Sequence, residues 1–80
     1  MDLIKIPGVG KETKKDLIRL GYYKVEDLVN ENPEAMYEAH NELEGVNVDR
    51  CVLYVYRCAV AFAKDSKRAD LRWWDFKDKK

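Results

Sequence analysis

Ile6-Pro7-Gly8-Val9-Gly10-Lys11 is the stretch on which the reading of the fold turns. Two of the chain's four glycines and one of its two prolines fall inside it. Glycine reaches positive φ without steric cost, so Gly-x-Gly beside proline marks a tight reversal of the backbone. Lys11 to Leu20 then reads as a helix with Thr13, Leu17 and Leu20 on one face, stopped by Gly21. The reversal therefore delivers the start of a helix whose first turns carry Lys11, Lys14 and Lys15. The first N–H groups of a helix lack intrahelical partners, and the helix dipole adds positive character there. A glycine turn also lets the main chain approach an anion closely. Gly8, Val9, Gly10, Lys11, Thr13, Lys14 and Lys15 are thus the candidate phosphate-binding residues.

The flanking segments read as helix throughout, which predicts an all-α fold of about five short helices and a helical tail. A short helix over about residues 2–6 leads into the reversal. Another covers about Val25 to Asn30; Lys24 at its N-cap cannot accept a hydrogen bond, which predicts fraying. Asn32-Pro33-Glu34 combines an N-cap, a proline at the first helical position and an acid in the first turn. The helix it starts carries Ala35, Met36, Tyr37, Ala39, His40 and Leu43 and ends at Gly45. The next segment, from near Asn47 to about Lys64, contains valines that suit a strand, but its length and alanine-rich end favour helix. Being apolar on most faces, it is the expected central buried helix. Ser66 to Lys80 predicts one more short helix around Trp73 and Trp74, with Lys77 to Lys80 disordered.

The first motif recurs in eroded form. A shift of 37 residues places Ile6 on Leu43, Gly8 on Gly45, Val9 on Val46 and Gly10 on Asn47. The same shift places Lys14 on Cys51, Leu17 on Tyr54 and Ile18 on Val55. Asparagine tolerates left-handed backbone better than most residues, so Asn47 is expected to stand in for the second glycine. Gly45, Asn47 and Arg50 form the weaker second candidate site. Glu42, Glu44 and Asp49 surround it and oppose phosphate, which suits a structural role.

Leu3, Ile6, Gly8, Val9, Gly10, Leu17 and Ile18 match the pattern of the helix-hairpin-helix motif of DNA-binding proteins. The resemblance implies a turn that holds the DNA backbone without reading base sequence. Two such motifs joined by a connector helix imply a compact tandem, SAM-like domain over residues 1–64, with hairpins at 6–10 and 43–47. Residues 65–80 then form an aromatic and basic tail packed on that domain. In some relatives the turn carbonyls, here those of Ile6 and Val9, hold a monovalent cation. Lys14 departs from the family, which usually has a small residue where the helices cross; its alkyl stem could cover the crossing while its ammonium reaches water. Val48-Asp49-Arg50-Cys51-Val52-Leu53-Tyr54-Val55-Tyr56-Arg57-Cys58-Ala59-Val60, with Leu71-Arg72-Trp73-Trp74 and Lys77-Asp78, more narrowly resembles the small bacterial "pathogenicity locus" family. That likeness covers nearly the whole chain and implies a fold, with no defined biochemical role.

Eighty residues form one small domain, which buries only about 60% of its unfolded surface. The formal net charge of zero conceals a partition. Residues 1–25 hold six Lys/Arg against three Asp/Glu, residues 26–49 eight Asp/Glu and no Lys or Arg, and residues 50–80 nine basic against four acidic. Basic ends flank an acidic middle, and for binding a polyanion the distribution matters more than the total. Cys51 and Cys58 are seven apart on one helix, about 10.5 Å along its axis, too far for a mutual disulfide. They read as small apolar side chains in a reducing compartment. No signal-peptide pattern is present, and the longest apolar stretch, Cys51 to Ala63, is interrupted by Arg57. The expected location is cytoplasmic.

His40, the only histidine, reads as a hydrogen-bonded packing residue, and with Cys51 and Cys58 it does not make a zinc pattern. Ser66 and Thr13, the only hydroxyl pair of their types, have no neighbouring base, so neither an enzyme nor a cofactor is expected. Trp73 and Trp74 either seal the core or present a surface aromatic; adjacent helical residues point apart, so one of them is the surface candidate. Two functions follow as expectations. One is a sequence-independent DNA-binding module working through the first hairpin. The other is a protein-interaction module that keeps the fold without DNA binding.

Overall fold

Each helix begins and ends where the local chemistry of its caps allows. The computed structural model describes residues 1–68 and 70–78. Short 3₁₀ helices span Leu3–Lys5, Val25–Leu28 and Trp73–Phe76. Three α-helices complete the secondary structure of the described residues: α1 (Lys11–Arg19), α2 (Pro33–Glu44) and α3 (Cys51–Lys64). The fold is all-helical, in the expected order, but three of the six elements are single 3₁₀ turns.

Helix α1 closes in a Schellman motif. Tyr22 N donates to Leu17 O at 2.9 Å and Gly21 N to Ile18 O at 2.9 Å, with Gly21 at φ +98°. Of the predicted stripe, Leu17 is fully buried and Thr13 and Leu20 are half-buried. Helix α2 starts as its sequence demands: Asn32 Oδ1 accepts the Glu34 N–H at 2.8 Å and the Ala35 N–H at 3.3 Å, with Pro33 first in the helix. It ends on Gly45 at φ +72°.

Two local expectations are corrected. The Val25–Leu28 turn does not lack a cap, because Asp27 supplies one from inside it. Asp27 Oδ2 accepts the N–H of Tyr23 at 2.9 Å and of Lys24 at 3.2 Å, and both Val25 and Leu28 are buried. The long apolar helix begins at Cys51, not near Asn47. Side chains take the hydrogen bonds that a helical start would need: Asn41 Oδ1 accepts the Val48 N–H at 2.8 Å, and Val48 O accepts the Tyr37 hydroxyl at 2.6 Å.

Helix α3 is the centre of the packing. It buries Leu53, Tyr56, Cys58, Ala59, Val60 and Phe62, and α2, the Val25–Leu28 turn and the Trp73–Phe76 turn lie against it. Leu3, Ile6, Leu17 and Leu28, all at 1% exposure or less, join Tyr56, Cys58, Ala59, Val60 and Phe62 of α3 in one core cluster. The Cys58 thiol donates to Pro7 O at 3.7 Å, so α3 is seated directly against the Ile6–Gly10 reversal. Among the described residues no helix is long and apolar enough to cross a membrane.

Candidate nucleic-acid interface

Buried apolar residues hold the Ile6–Gly10 reversal in place. Ile6 is 1% and Val9 7% exposed, and Val9 N donates back to Ile6 O at 3.1 Å. The two glycines between and beside them have different reasons to be glycine. Gly8 sits at φ +86°, and a Cβ there would meet Trp73 Cδ1 at 3.1 Å. Its requirement is internal: a left-handed backbone and a tryptophan ring laid against it. Gly10 is extended, at φ −104° and ψ −166°, and a Cβ there would meet nothing within 4 Å. Neither strain nor an internal contact explains Gly10, so its bareness faces outward.

Gly10 is the N-cap of α1 and offers no side-chain cap. Among the described residues, the N–H groups of Lys11, Glu12 and Thr13 have no acceptor within the protein. Lys11 and Lys15 are exposed beside them, Lys15 in a loose 3.6 Å pair with Glu12. Lys14 is half-buried, and its Nζ is drawn toward Asp2 Oδ1 at 3.1 Å. The Ile4 N–H and the Lys14 ammonium together hold the Asp2 carboxyl below its ordinary range. Lys14 therefore ties α1 to the N-terminal turn, and its charge is partly spent there.

The second reversal differs in two ways and corrects one expectation. Leu43 and Val46, the counterparts of buried Ile6 and Val9, are 46% and 64% exposed. Gly45 reproduces the left-handed glycine at φ +72°, but among the described residues no non-glycine residue has positive φ, so Asn47 does not adopt the left-handed conformation expected of it. Asn47 corresponds to Gly10, which is itself extended, so that position never needed left-handed backbone. Most important, Asp49 caps α3 from within: its Oδ1 accepts the Cys51 N–H at 2.9 Å, which holds the Asp49 carboxyl below its ordinary value. At the start of α3 a carboxylate already accepts a backbone N–H; at the start of α1 the first turn carries Glu12, but no side chain caps the N–H groups.

Arg50, the remaining basic residue of that reversal, is also engaged. Its Nε donates to Asp78 Oδ2 at 2.6 Å, while Arg57 Nη1 donates to Asp78 Oδ1 at 2.9 Å. The Tyr54 hydroxyl adds a 3.3 Å bond to Asp78 Oδ2. Arg57 also reaches Phe76 O at 2.9 Å and Glu34 Oε2 at 2.9 Å. The two guanidiniums hold the Asp78 carboxyl at about 2. Lys77 and Asp78 are thus held along α3, against the expected disorder; Lys79 and Lys80 lie outside the described residues.

The whole chain, residues 1–80, matches the Cdd1 family, described as pathogenicity locus. The chain belongs to that family. Comparison with curated proteins finds no match. Comparison with solved structures finds none either.

Two further clusters complete the chemistry of this Cdd1 family member. His40, 4% exposed, sits between α1 and α2 with Nδ1 2.6 Å from the Tyr56 hydroxyl. Burial pushes the Tyr56 phenol well above its usual range, so it stays protonated and can donate to Nδ1. His40 Nε2 then faces Glu44 Oε1 at 3.7 Å and Asp16 Oδ2 at 4.0 Å. Asp16, His40 and Glu44 each bring a donor atom to within 4.8 Å of the others. Arg19 already occupies both acids, 2.7 Å from Glu44 Oε1 and 3.4 Å from Asp16 Oδ1. Its positive charge takes the place a cation would need, so the cluster reads as a polar clasp joining the two helices.

The tail supplies the aromatic pair. Trp73 is half-buried against Gly8, and Trp74 is 48% exposed with the Arg72 guanidinium 5.7 Å from its ring centroid. Neither is fully buried. Sequence reasoning missed Tyr54, Arg57 and Asp78: nothing in the local pattern says that a residue in a charged tail returns to two arginines on a helix more than twenty positions earlier.

Proposed function

We propose that this Cdd1 family member binds the backbone of duplex DNA without reading base sequence. The first hairpin, Gly8 to Lys15, forms the grip, and residues 1–64 form a tandem, SAM-like helix-hairpin-helix domain that carries the tail. The observation that carries the reading is the bare start of α1. Gly10 presents no side chain, the N–H groups of Lys11, Glu12 and Thr13 lack acceptors among the described residues, and Lys11 and Lys15 stand exposed beside them. A phosphate oxygen would complete those hydrogen bonds and meet the positive end of the helix dipole. Thr13 and Lys14 would support the grip from a half-buried position, Lys14 less than the other lysines because of Asp2. A monovalent cation at the carbonyls of Ile6 and Val9 fits this reading, although Ile6 O already accepts the Val9 N–H. The second hairpin would contribute shape, because Asp49 caps its helix.

Chemical-shift titration with a short duplex at low salt tests the reading. Shifts should concentrate in residues 5–15. The Lys11→Ala/Lys15→Ala pair should lower the slope of log affinity against log salt by about 0.9 per lost phosphate contact. Unchanged affinity and slope in that pair reject the hairpin as the binding element.

A second reading, a protein-interaction module, draws on Leu43, Val46 and Trp74, which are exposed by 46%, 64% and 48%. A concentration-dependent oligomer dissolved by Trp74→Ala would favour it. A strict monomer with no protein partner would count against it.

A further inference from the structure

We propose that Arg50, Arg57 and Tyr54 form a second phosphodiester-binding site, filled in the free protein by the Asp78 carboxylate and opened when a DNA phosphate displaces it. The inference rests on the DNA-binding reading of the first hairpin and assigns that reading a second contact and an internal competitor.

The geometry is that of an anion site. Two guanidiniums approach one carboxylate from different sides, Arg50 Nε at 2.6 Å from Oδ2 and Arg57 Nη1 at 2.9 Å from Oδ1, and a phenol adds a third donor at 3.3 Å. Arginine's fork of planar donors suits carboxylate and phosphate oxygens alike. Arg57 is preorganised: its side chain is only 23% exposed, and Glu34 Oε2 and Phe76 O hold its remaining donors. Asp78 is the partner that DNA would displace: it follows the last turn, and its side chain is 35% exposed against 23% for Arg57. The exchange conserves charge neutralisation at both arginines, so it costs little electrostatically.

Position also favours the assignment. The tail runs along α3 from the first hairpin, where Trp73 lies on Gly8, past Phe76 to Asp78 at Arg50. Cys58, next to Arg57, touches Pro7 of the first hairpin. The proposed site is therefore adjacent along α3 to the residue that seats this helix against the first hairpin. This explains why a reversal with a capped helix start and acidic neighbours still carries an arginine: its anion comes from elsewhere.

Duplex affinity measured across a salt series on the full chain and its variants tests the proposal. Asp78→Asn should tighten binding roughly two- to fivefold, the scale of removing an exposed ion-pair competitor. Arg50→Ala should weaken binding and lower the salt slope on its own, and should abolish the gain in the Asp78→Asn background. Asp75→Asn, which removes the same charge from the same tail, should give no comparable gain. An Asp78→Asn protein that binds like wild type overturns the proposal. So does a gain that persists with Arg50→Ala or appears equally with Asp75→Asn, because the effect is then bulk charge. If Lys11→Ala weakens binding while Asp78→Asn is silent, the hairpin reading stands and only the second site fails. If no variant binds duplex at low salt, both fail. Tryptophan emission and a thermal melt confirm that each variant is folded.

Discussion

Replacing Gly8 by alanine separates the structural role of the first hairpin from its proposed chemistry. Alanine at Gly8 must adopt φ +86°, a left-handed backbone that costs a non-glycine residue roughly 1–2 kcal/mol. Its methyl group would also sit 3.1 Å from Trp73 Cδ1, too close for ordinary contact, and the ring would have to give way by a few tenths of an ångström. Overpacking of this kind costs about 1–3 kcal/mol. Against this stands the reduced entropy of the unfolded chain, about 0.4–1 kcal/mol in alanine's favour. The net is a loss of about 3 kcal/mol, which in a domain of this size lowers Tm by about 12–24 °C. Gly10→Ala should behave differently. Its backbone is already extended and its Cβ direction is open, so stability should stay within about 0.5 kcal/mol of wild type. Duplex affinity should fall, because the methyl group would stand where a phosphate approaches. The assays are thermal melting followed by circular dichroism and duplex binding at low salt. Repeating Gly8→Ala in a Trp73→Ala background isolates the contact, since the two residues touch and should couple. A Gly8→Ala protein melting within about 3 °C of wild type refutes the reasoning. A cost unchanged by Trp73→Ala removes the tryptophan from it.

Tyr56→Phe should destabilise the protein by about 1–3 kcal/mol, read by urea unfolding, because it leaves the buried Nδ1 of His40 without its 2.6 Å partner; an unchanged midpoint would mean that the clasp is solvated. The Asp78 carboxyl, held at about 2 by Arg50 and Arg57 against a usual 3.8, contributes stability only while ionised. Its clamp is fully present above about pH 5 and is lost as pH falls through 4 toward 2, so tryptophan emission should show a low-pH transition that Asp78→Asn lacks. Burial pushes the Cys58 thiol up to about 11 and also raises half-buried Cys51. Alkylation at pH 8 should therefore be slow in the folded protein and reach Cys51 before Cys58; the reverse order would contradict the packing of α3 on Pro7.

The amino-acid sequence by itself determined the elements whose signals are local. Asn32-Pro33 starts α2, Gly21 and Gly45 end α1 and α2, and Gly8 turns the chain, because cap bonds and positive φ are decided within a few residues. The family likeness was equally legible, since it lies in the order of residues along the chain. The start of α3 was not: whether Val48 continues a helix depends on Asn41 and Tyr37, which claim its N–H and C=O. Nor was the inequality of the two reversals. Leu43 looks as apolar as Ile6, and only packing decides that Ile6 is buried beneath α3 while Leu43 faces solvent. The two glycines of the opening motif divide in the same way. Their spacing is a property of the sequence, but the tertiary structure lays Trp73 against Gly8 and leaves Gly10 open, because a residue sixty-five positions away fills the space beside one and not the other. The bond from Asp78 to Arg50 and Arg57 is of that long-range kind too, since charges pair by distance in space, which the order of residues does not encode.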